Sequence, residues 1–214
     1  MKNSLILLSL AAMLLVSGCS SIKVVPEQVV NGRINSVENS QTISLNGIEV
    51  TARVDETSIN SYNLDGTVTA FHISIKNTTD KEISFGNESY VLVDESNLQY
   101  SLLTPDNIRA MLKKDSYYLI PYPYVGFYYL EDYEKTNAYN RFNSVLPYYY
   151  DLYPQDLFTR SLQAASVIPG MKVEGLVCFK IDPAAHNHLR LLLFSKGASK
   201  SSPPDFSFPF KTVK

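Results

Sequence analysis

Thr67-Val68-Thr69-Ala70-Phe71-His72-Ile73-Ser74-Ile75-Lys76 decides the fold class. Successive side chains of an extended chain point to opposite faces, so Phe71, Ile73 and Ile75 share an apolar face while His72, Ser74 and Lys76 share a polar one. The spacing predicts a half-buried strand, opened by Asp65-Gly66 and closed by Asn77-Thr78-Thr79-Asp80, whose short polar side chains bond nearby backbone in turns. Upstream, Thr42-Ile43-Ser44-Leu45 and Ile48-Glu49-Val50-Thr51-Ala52-Arg53-Val54 flank Asn46-Gly47, the dipeptide that accepts the positive φ angles of a two-residue hairpin turn. Downstream, short strands are predicted at 82–85, 90–93 and 98–102.

Further on, Thr104-Pro105 can cap a short helix with Pro105 at its first position and Ile108, Met111 and Leu112 along one face. A second short helix is predicted over 154–165, where Phe158, Leu162 and Ala165 recur at helical intervals. Pro169-Gly170 then starts what reads as the longest strand, with Val173, Gly175, Val177, Phe179 and Ile181 on one face and Lys172, Glu174, Cys178 and Lys180 opposite. The absent side chain of Gly175 predicts close approach of another backbone. Leu189, Leu191 and Leu193 mark another strand, and Phe206, Phe208 and Phe210 a last one, which Pro209 places at a sheet edge because it lacks an N–H. Seven to nine short strands with two brief helices predict a mainly β protein, an antiparallel β-sandwich.

The N-terminus reads as an address. Lys2 supplies a positive start, 5–16 is apolar apart from Ser9, and Val16-Ser17-Gly18 bring small residues to a cleavage point before Cys19. That run has 12 residues, against about 20 for a membrane-spanning helix. Val16-Ser17-Gly18-Cys19 closely resembles the lipobox of bacterial lipoproteins. The resemblance implies that the sulfur of Cys19 is diacylated, the signal is cut before it, and the new N-terminus is acylated. Two or three acyl chains, each contributing about 0.8 kcal/mol per buried CH₂, make a stable anchor where one is reversible. The expected organisation is a signal peptide at 1–18, a lipidated N-terminus and tether at 19–40, part of which can add an edge strand, and one domain at 41–214. With Ser20 after the cysteine, the resemblance implies the outer membrane if the organism is Gram-negative.

Phe71-His72-Ile73-Ser74-Ile75-Lys76-Asn77-Thr78-Thr79-Asp80-Lys81, Tyr90-Val91-Leu92-Val93-Asp94 and Ile168-Pro169-Gly170 with Val173-Glu174-Gly175 and Phe179 resemble the immunoglobulin-like domains of bacterial secreted antigens and lipoproteins. The resemblance covers 67–102 and 166–194 and implies an immunoglobulin-like β-sandwich. The middle segment, about 104–166, departs from that pattern and reads as an insertion.

Within it, 12 of the 15 tyrosines lie between Tyr117 and Tyr153. Tyrosine combines a large apolar ring with a hydroxyl that needs water or a partner, so the cluster suits half-wet surfaces. One reading makes these rings a roof over the outward face of the 172–181 strand, burying Leu176 and Cys178. The other makes them a recognition surface, since Tyr offers rigid contact area with few torsions to freeze; its candidate residues are Tyr122, Tyr124, Phe127, Tyr128, Tyr129, Tyr148, Tyr149 and Tyr150.

The charge is balanced, 19 basic against 21 acidic residues among 214, and no basic cluster is interleaved with aromatics, so no nucleic-acid partner is expected. No phosphate loop, no nucleophile elbow and no EF-hand spacing is present, so no cofactor and no catalysis are expected. His186 and His188 in Ala185-His186-Asn187-His188 are weak metal candidates, with no carboxylate or cysteine nearby in sequence to complete a set of four ligands. With Cys19 taken by lipid, Cys178 is expected to pack in the core, an intermolecular disulfide being the alternative. The expected function is a membrane-anchored, non-catalytic binding or structural module of the cell envelope. Its expected partners are the membrane, another envelope protein and, alternatively, a glycan stacked on exposed tyrosines; an enzyme with a dispersed site, such as His72 with His186 or His188, is the remaining reading.

Overall fold

The computed structural model describes residues 22–55, 64, 66–115, 117–120, 148–151, 159–162 and 165–213. Their strands are β1 (Lys23–Pro26), β2 (Gly32–Asn35), β3 (Ser40–Leu45), β4 (Ile48–Val54), β5 (Thr69–Asn77), β6 (Ile83–Phe85), β7 (Tyr90–Asp94), β8 (Gln99–Leu103), β9 (Tyr117–Ile120), β10 (Tyr148–Asp151), β11 (Ala165–Val167), β12 (Lys172–Phe179), β13 (His188–Leu193) and β14 (Phe206–Val213), and the helix α1 is Pro105–Asp115. Ten of the strands form one antiparallel sheet in the order β1-β14-β13-β7-β8-β12-β5-β4-β3-β2, while β9 pairs with β10 and β6 with β11. The chain is therefore mainly β and antiparallel, as the alternation predicts.

β8 joins the two halves of the sheet. Its Gln99, Tyr100 and Ser101 pair with β7, and its Leu102 and Leu103 pair with β12. The outer strand β1 returns against β3 and β4, so the sheet curls into a nearly closed shell. Inside lie Phe71, Ile73 and Ile75 of β5, Val177 and Phe179 of β12, Leu189, Leu191 and Leu193 of β13 and the three phenylalanines of β14, all essentially inaccessible. Phe71 meets Phe179 edge-on at 5.9 Å and Phe210 at 5.2 Å between ring centroids. Period-2 alternation thus puts every second residue of the central strands in one core.

Local chemistry sets the turns. Asn46 and Gly47 both have positive φ, 51° and 77°, and join β3 to β4 with Leu45 opposite Ile48. Asn77 holds the end of β5: its amide donates to the carbonyls of Lys81 (2.7 Å) and Val167 (2.8 Å), and its Oδ1 accepts from the Thr79 N–H and hydroxyl. A Cβ on Gly175 would stand 2.7 Å from the Arg160 carbonyl oxygen and 2.8 Å from the Leu162 nitrogen. The predicted close approach is real, and the Leu162 N–H donates to the Leu176 carbonyl at 2.8 Å.

Of the second helix expected over 154–165, Thr159 and Arg160 are helical, and what changes is its end, which comes before Ser161. Residues 154–158 lie outside the described residues. Ser161 forms an isolated bridge with Leu176, and Ala165 begins β11, which pairs with β6. Residues 23–26 and 32–35, in the stretch expected to be a tether that can add an edge strand, are the two outermost strands of the sheet. Val24 is buried there, and β1 pairs along β14 from Lys23↔Val213 to Pro26↔Phe210. Consequently β14 is not an edge strand. The Pro209 carbonyl accepts from Glu27 just past the end of β1, so the missing N–H falls where that short neighbour stops. The longest strand is β5 with 9 residues, one more than β12.

Candidate functional site

The polar half of the opening stretch faces a cleft. Across β2, β3, β4, β5 and β12 the register lines up Arg33, Thr42, Thr51, Ser74 and Glu174 in one row, and Asn35, Ser40, Arg53 and His72 in the next. These outward positions line an open cleft of about 950 Å³. Its floor is made of hydroxyls, with Thr42 Oγ1 and Thr51 Oγ1 2.8 Å apart.

Arg33, Arg53, Lys172 and Glu174 at the cleft each have a partner of opposite charge within the chain. Arg33 Nη2 lies 3.8 Å from Glu49, and Lys172 Nζ 2.6 Å from Glu174. Buried Asp55 receives Arg53 at 3.8 Å and Arg160 at 3.6 Å. The Lys172 contact holds the Glu174 carboxyl below its usual range. Burial, reinforced by the Arg53 guanidinium, lowers the His72 imidazole below its ordinary 6.5 against the pull of Glu174 and Asp55, so His72 is neutral at neutral pH. The arrangement offers fixed donors and acceptors on several sides.

A second cleft of about 350 Å³ is lined by Glu27, Asp94, Glu95 and His188 among others. His186 Nδ1 is 3.3 Å from Glu95 and 3.8 Å from Asp94, and the Tyr100 hydroxyl donates to Asp94 at 3.0 Å. Desolvation raises Asp94, but bonds donated by the Leu98 N–H, Tyr100 hydroxyl and Ser96 N–H outweigh it and hold the carboxyl low. His188 Nδ1 instead meets Glu27 at 3.3 Å. The two histidines therefore serve different carboxylates, brought from β1 and from the β7–β8 turn. Among the described residues no three His, Cys, Asp or Glu side chains are grouped to hold a metal ion. His72 lines the first cleft and shares no hydrogen bond or ion pair with His186 or His188 among the described residues.

Of the predicted recognition surface, Tyr122, Tyr124, Phe127, Tyr128 and Tyr129 lie outside the described residues, as does Cys19. Tyr148, Tyr149 and Tyr150 lie on β10, opposite Ile120, Leu119 and Tyr118 of β9. On the outward face of β12, Leu176 and Cys178 are buried with Leu64, Val68, Ala70 and Ile108, and Met111 of α1 packs against them. Burial pushes the Cys178 thiol up to about 12. At 4% exposure it has the environment of a packing residue rather than of a disulfide-forming one.

The row Arg33, Thr42, Thr51, Ser74 and Glu174 was not anticipated as a site. Part of it is written in the hairpin, since a two-residue turn at Asn46-Gly47 puts Thr42 opposite Thr51. The rest depends on which strands become neighbours.

No protein-family model matches this chain, and no curated protein matches it. Among solved structures, the crystal structure of the YjhA protein from Bacillus subtilis is similar at 12% identity and a TM-score of 0.38, over 71% of this chain and 76% of that one.

Proposed function

We propose that this chain is a lipid-anchored module of a bacterial cell envelope that works by binding rather than catalysis, and that its strands form an immunoglobulin-like sandwich. The observation that carries the reading is Val16-Ser17-Gly18-Cys19 directly after the apolar run at 5–16. Acyl chains on Cys19 hold the domain at a membrane surface, the outer membrane in a Gram-negative organism. The Tyr-rich segment, with Tyr122, Tyr124, Phe127, Tyr128 and Tyr129 and the strand-borne Tyr148, Tyr149 and Tyr150, contacts another envelope protein. An antiparallel shell beginning at Lys23, close behind Cys19, suits a domain displayed on such an anchor.

Metabolic labelling with palmitate tests the anchor. The wild-type chain is expected to take up label and fractionate with envelopes, and Cys19→Ala to do neither. A Cys19→Ala chain that stays with envelopes overturns the reading. Crosslinking through Tyr122, Tyr124 and Tyr128 in intact cells, followed by mass spectrometry, then identifies the partner. Replacing those three by Ser is expected to abolish the crosslink at unchanged melting temperature.

A further inference from the structure

We propose that the polar cleft across β2, β3, β4, β5 and β12 binds an uncharged glycan chain lying across the strands. Five strands spaced about 4.8 Å apart give a trough on the order of 19 Å long, enough for several linked sugar rings. The Thr42–Thr51–Ser74 row forms its floor. In the Thr42–Thr51 pair one hydroxyl donates to the other at 2.8 Å, leaving one hydrogen and further lone pairs for a ligand. A sugar hydroxyl, both donor and acceptor, complements such a row.

The rims supply planar or multidentate groups, namely the guanidiniums of Arg33 and Arg53, the His72 imidazole and the Glu174 carboxylate. Arg33, Arg53 and Glu174 are each braced by a partner of opposite charge, so less side-chain freedom is lost on binding. The same bracing balances charge locally. Glu49 offsets Arg33 and Lys172 offsets Glu174. Asp55 and the rim residue Glu38 offset Arg53 and Arg160. Among the described residues the charges at the trough balance and give no field of one sign to hold a polyanion or a polycation, whereas the density of donors and acceptors fits a neutral polyhydroxylated chain. Among the described residues no tyrosine lines the cleft, and the site deepens the binding-module reading without depending on the lipid anchor.

The test uses the full-length chain in detergent micelles against immobilised neutral tetrasaccharides of glucose, mannose, galactose and N-acetylglucosamine in both anomeric linkages, with tetragalacturonate as the anionic counterpart. At least one neutral probe is expected to be retained, with tetragalacturonate not retained. Thr51→Val combined with Ser74→Val is expected to weaken that binding about tenfold at an unchanged melting temperature. Should that double variant fold poorly, Arg33→Ala, at a side chain 80% exposed, is expected to weaken binding severalfold without touching the core. Retention of no neutral probe, preference for tetragalacturonate, or full binding by Arg33→Ala and the folded double variant overturns the proposal. Palmitate labelling is read separately, so loss of the glycan site and loss of the anchor are distinguishable.

Discussion

Asn77 shows how one side chain closes a fold. Its amide ties the β5–β6 turn to β11 through the carbonyls of Lys81 and Val167, and it is fully buried. Asn77→Ala strands the buried Val167 carbonyl, takes one of two donors from the Lys81 carbonyl, and is expected to cost about 1–3 kcal/mol in a denaturant titration. An unchanged midpoint would sink this account. Tyr90 is the opposite case. It is 1% exposed, its hydroxyl has no hydrogen-bond partner among the described residues, and burial raises its ionisation far above the usual phenol range. Tyr90→Phe keeps the ring against Phe85 and is expected to stabilise by about 1 kcal/mol; a loss would mean that the hydroxyl is satisfied in solution. His72 carries a pH signature. Its folded value lies below the unfolded 6.5, so the unfolded chain binds more protons in that interval, and stability falls as pH drops below about 6.5 until the folded value is passed. His72→Gln is expected to flatten that limb of a melting temperature against pH curve. The losses near pH 4 and below, where Asp94, Glu95 and Glu174 are protonated, should stay.

At the scale of elements, the sequence is legible where a local rule meets no competitor. The alternation of β5, β12 and β14 and the Asn46-Gly47 turn read correctly because burial of one face and a positive φ each leave a unique mark. Pro209 misled because the rule concerns one missing N–H, while edge status depends on where β1 ends, far away in sequence. The helix expected over 154–165 is helical at Thr159 and Arg160 but ends before Ser161, because from there the chain passes Gly175 and Leu162 packs into the core. Gly175→Ala tests that passage. Its methyl would meet backbone atoms at 2.7–2.8 Å. The expected overpacking cost of about 1–3 kcal/mol exceeds the 0.4–1 kcal/mol or so gained by restricting the unfolded chain. Denaturant midpoints decide it, and a more stable variant would show that 160–162 can move away freely. Neither cleft was legible, because each is assembled from side chains whose neighbours are chosen by sheet order. Ser74 meets Glu174 across a hundred residues, and His186 meets Glu95 across 91.

For the molecule as a whole, what the proposed anchor adds is orientation. Lys23 enters the sheet only four residues after Cys19, and four extended residues span at most about 14 Å, so an acylated Cys19 leaves the start of β1 close to the bilayer. β1 runs antiparallel to β14, with Lys23 opposite Val213, whereas β14 begins at Phe206 and the 194–205 loop lies beyond that opposite end. Eight residues of strand separate the two ends by roughly 25 Å. The end bearing Val213 should therefore sit nearer the lipid headgroups than the loop bearing Ser199. Fluorophores attached at Val213→Cys and Ser199→Cys, both exposed positions, report this in vesicles carrying a headgroup quencher. Val213 is expected to be quenched more strongly than Ser199. A flexible Gly/Ser insert of about 20 residues after Ser21, with a root-mean-square reach near 25 Å, should erase the difference without altering the melting temperature, because β14 and not the leader sets the register of β1. Equal quenching before the insert would mean that the domain tumbles freely at its anchor; stronger quenching at Ser199 would mean that it lies on its opposite end. Either result would break the link drawn between the position of β1 and the membrane.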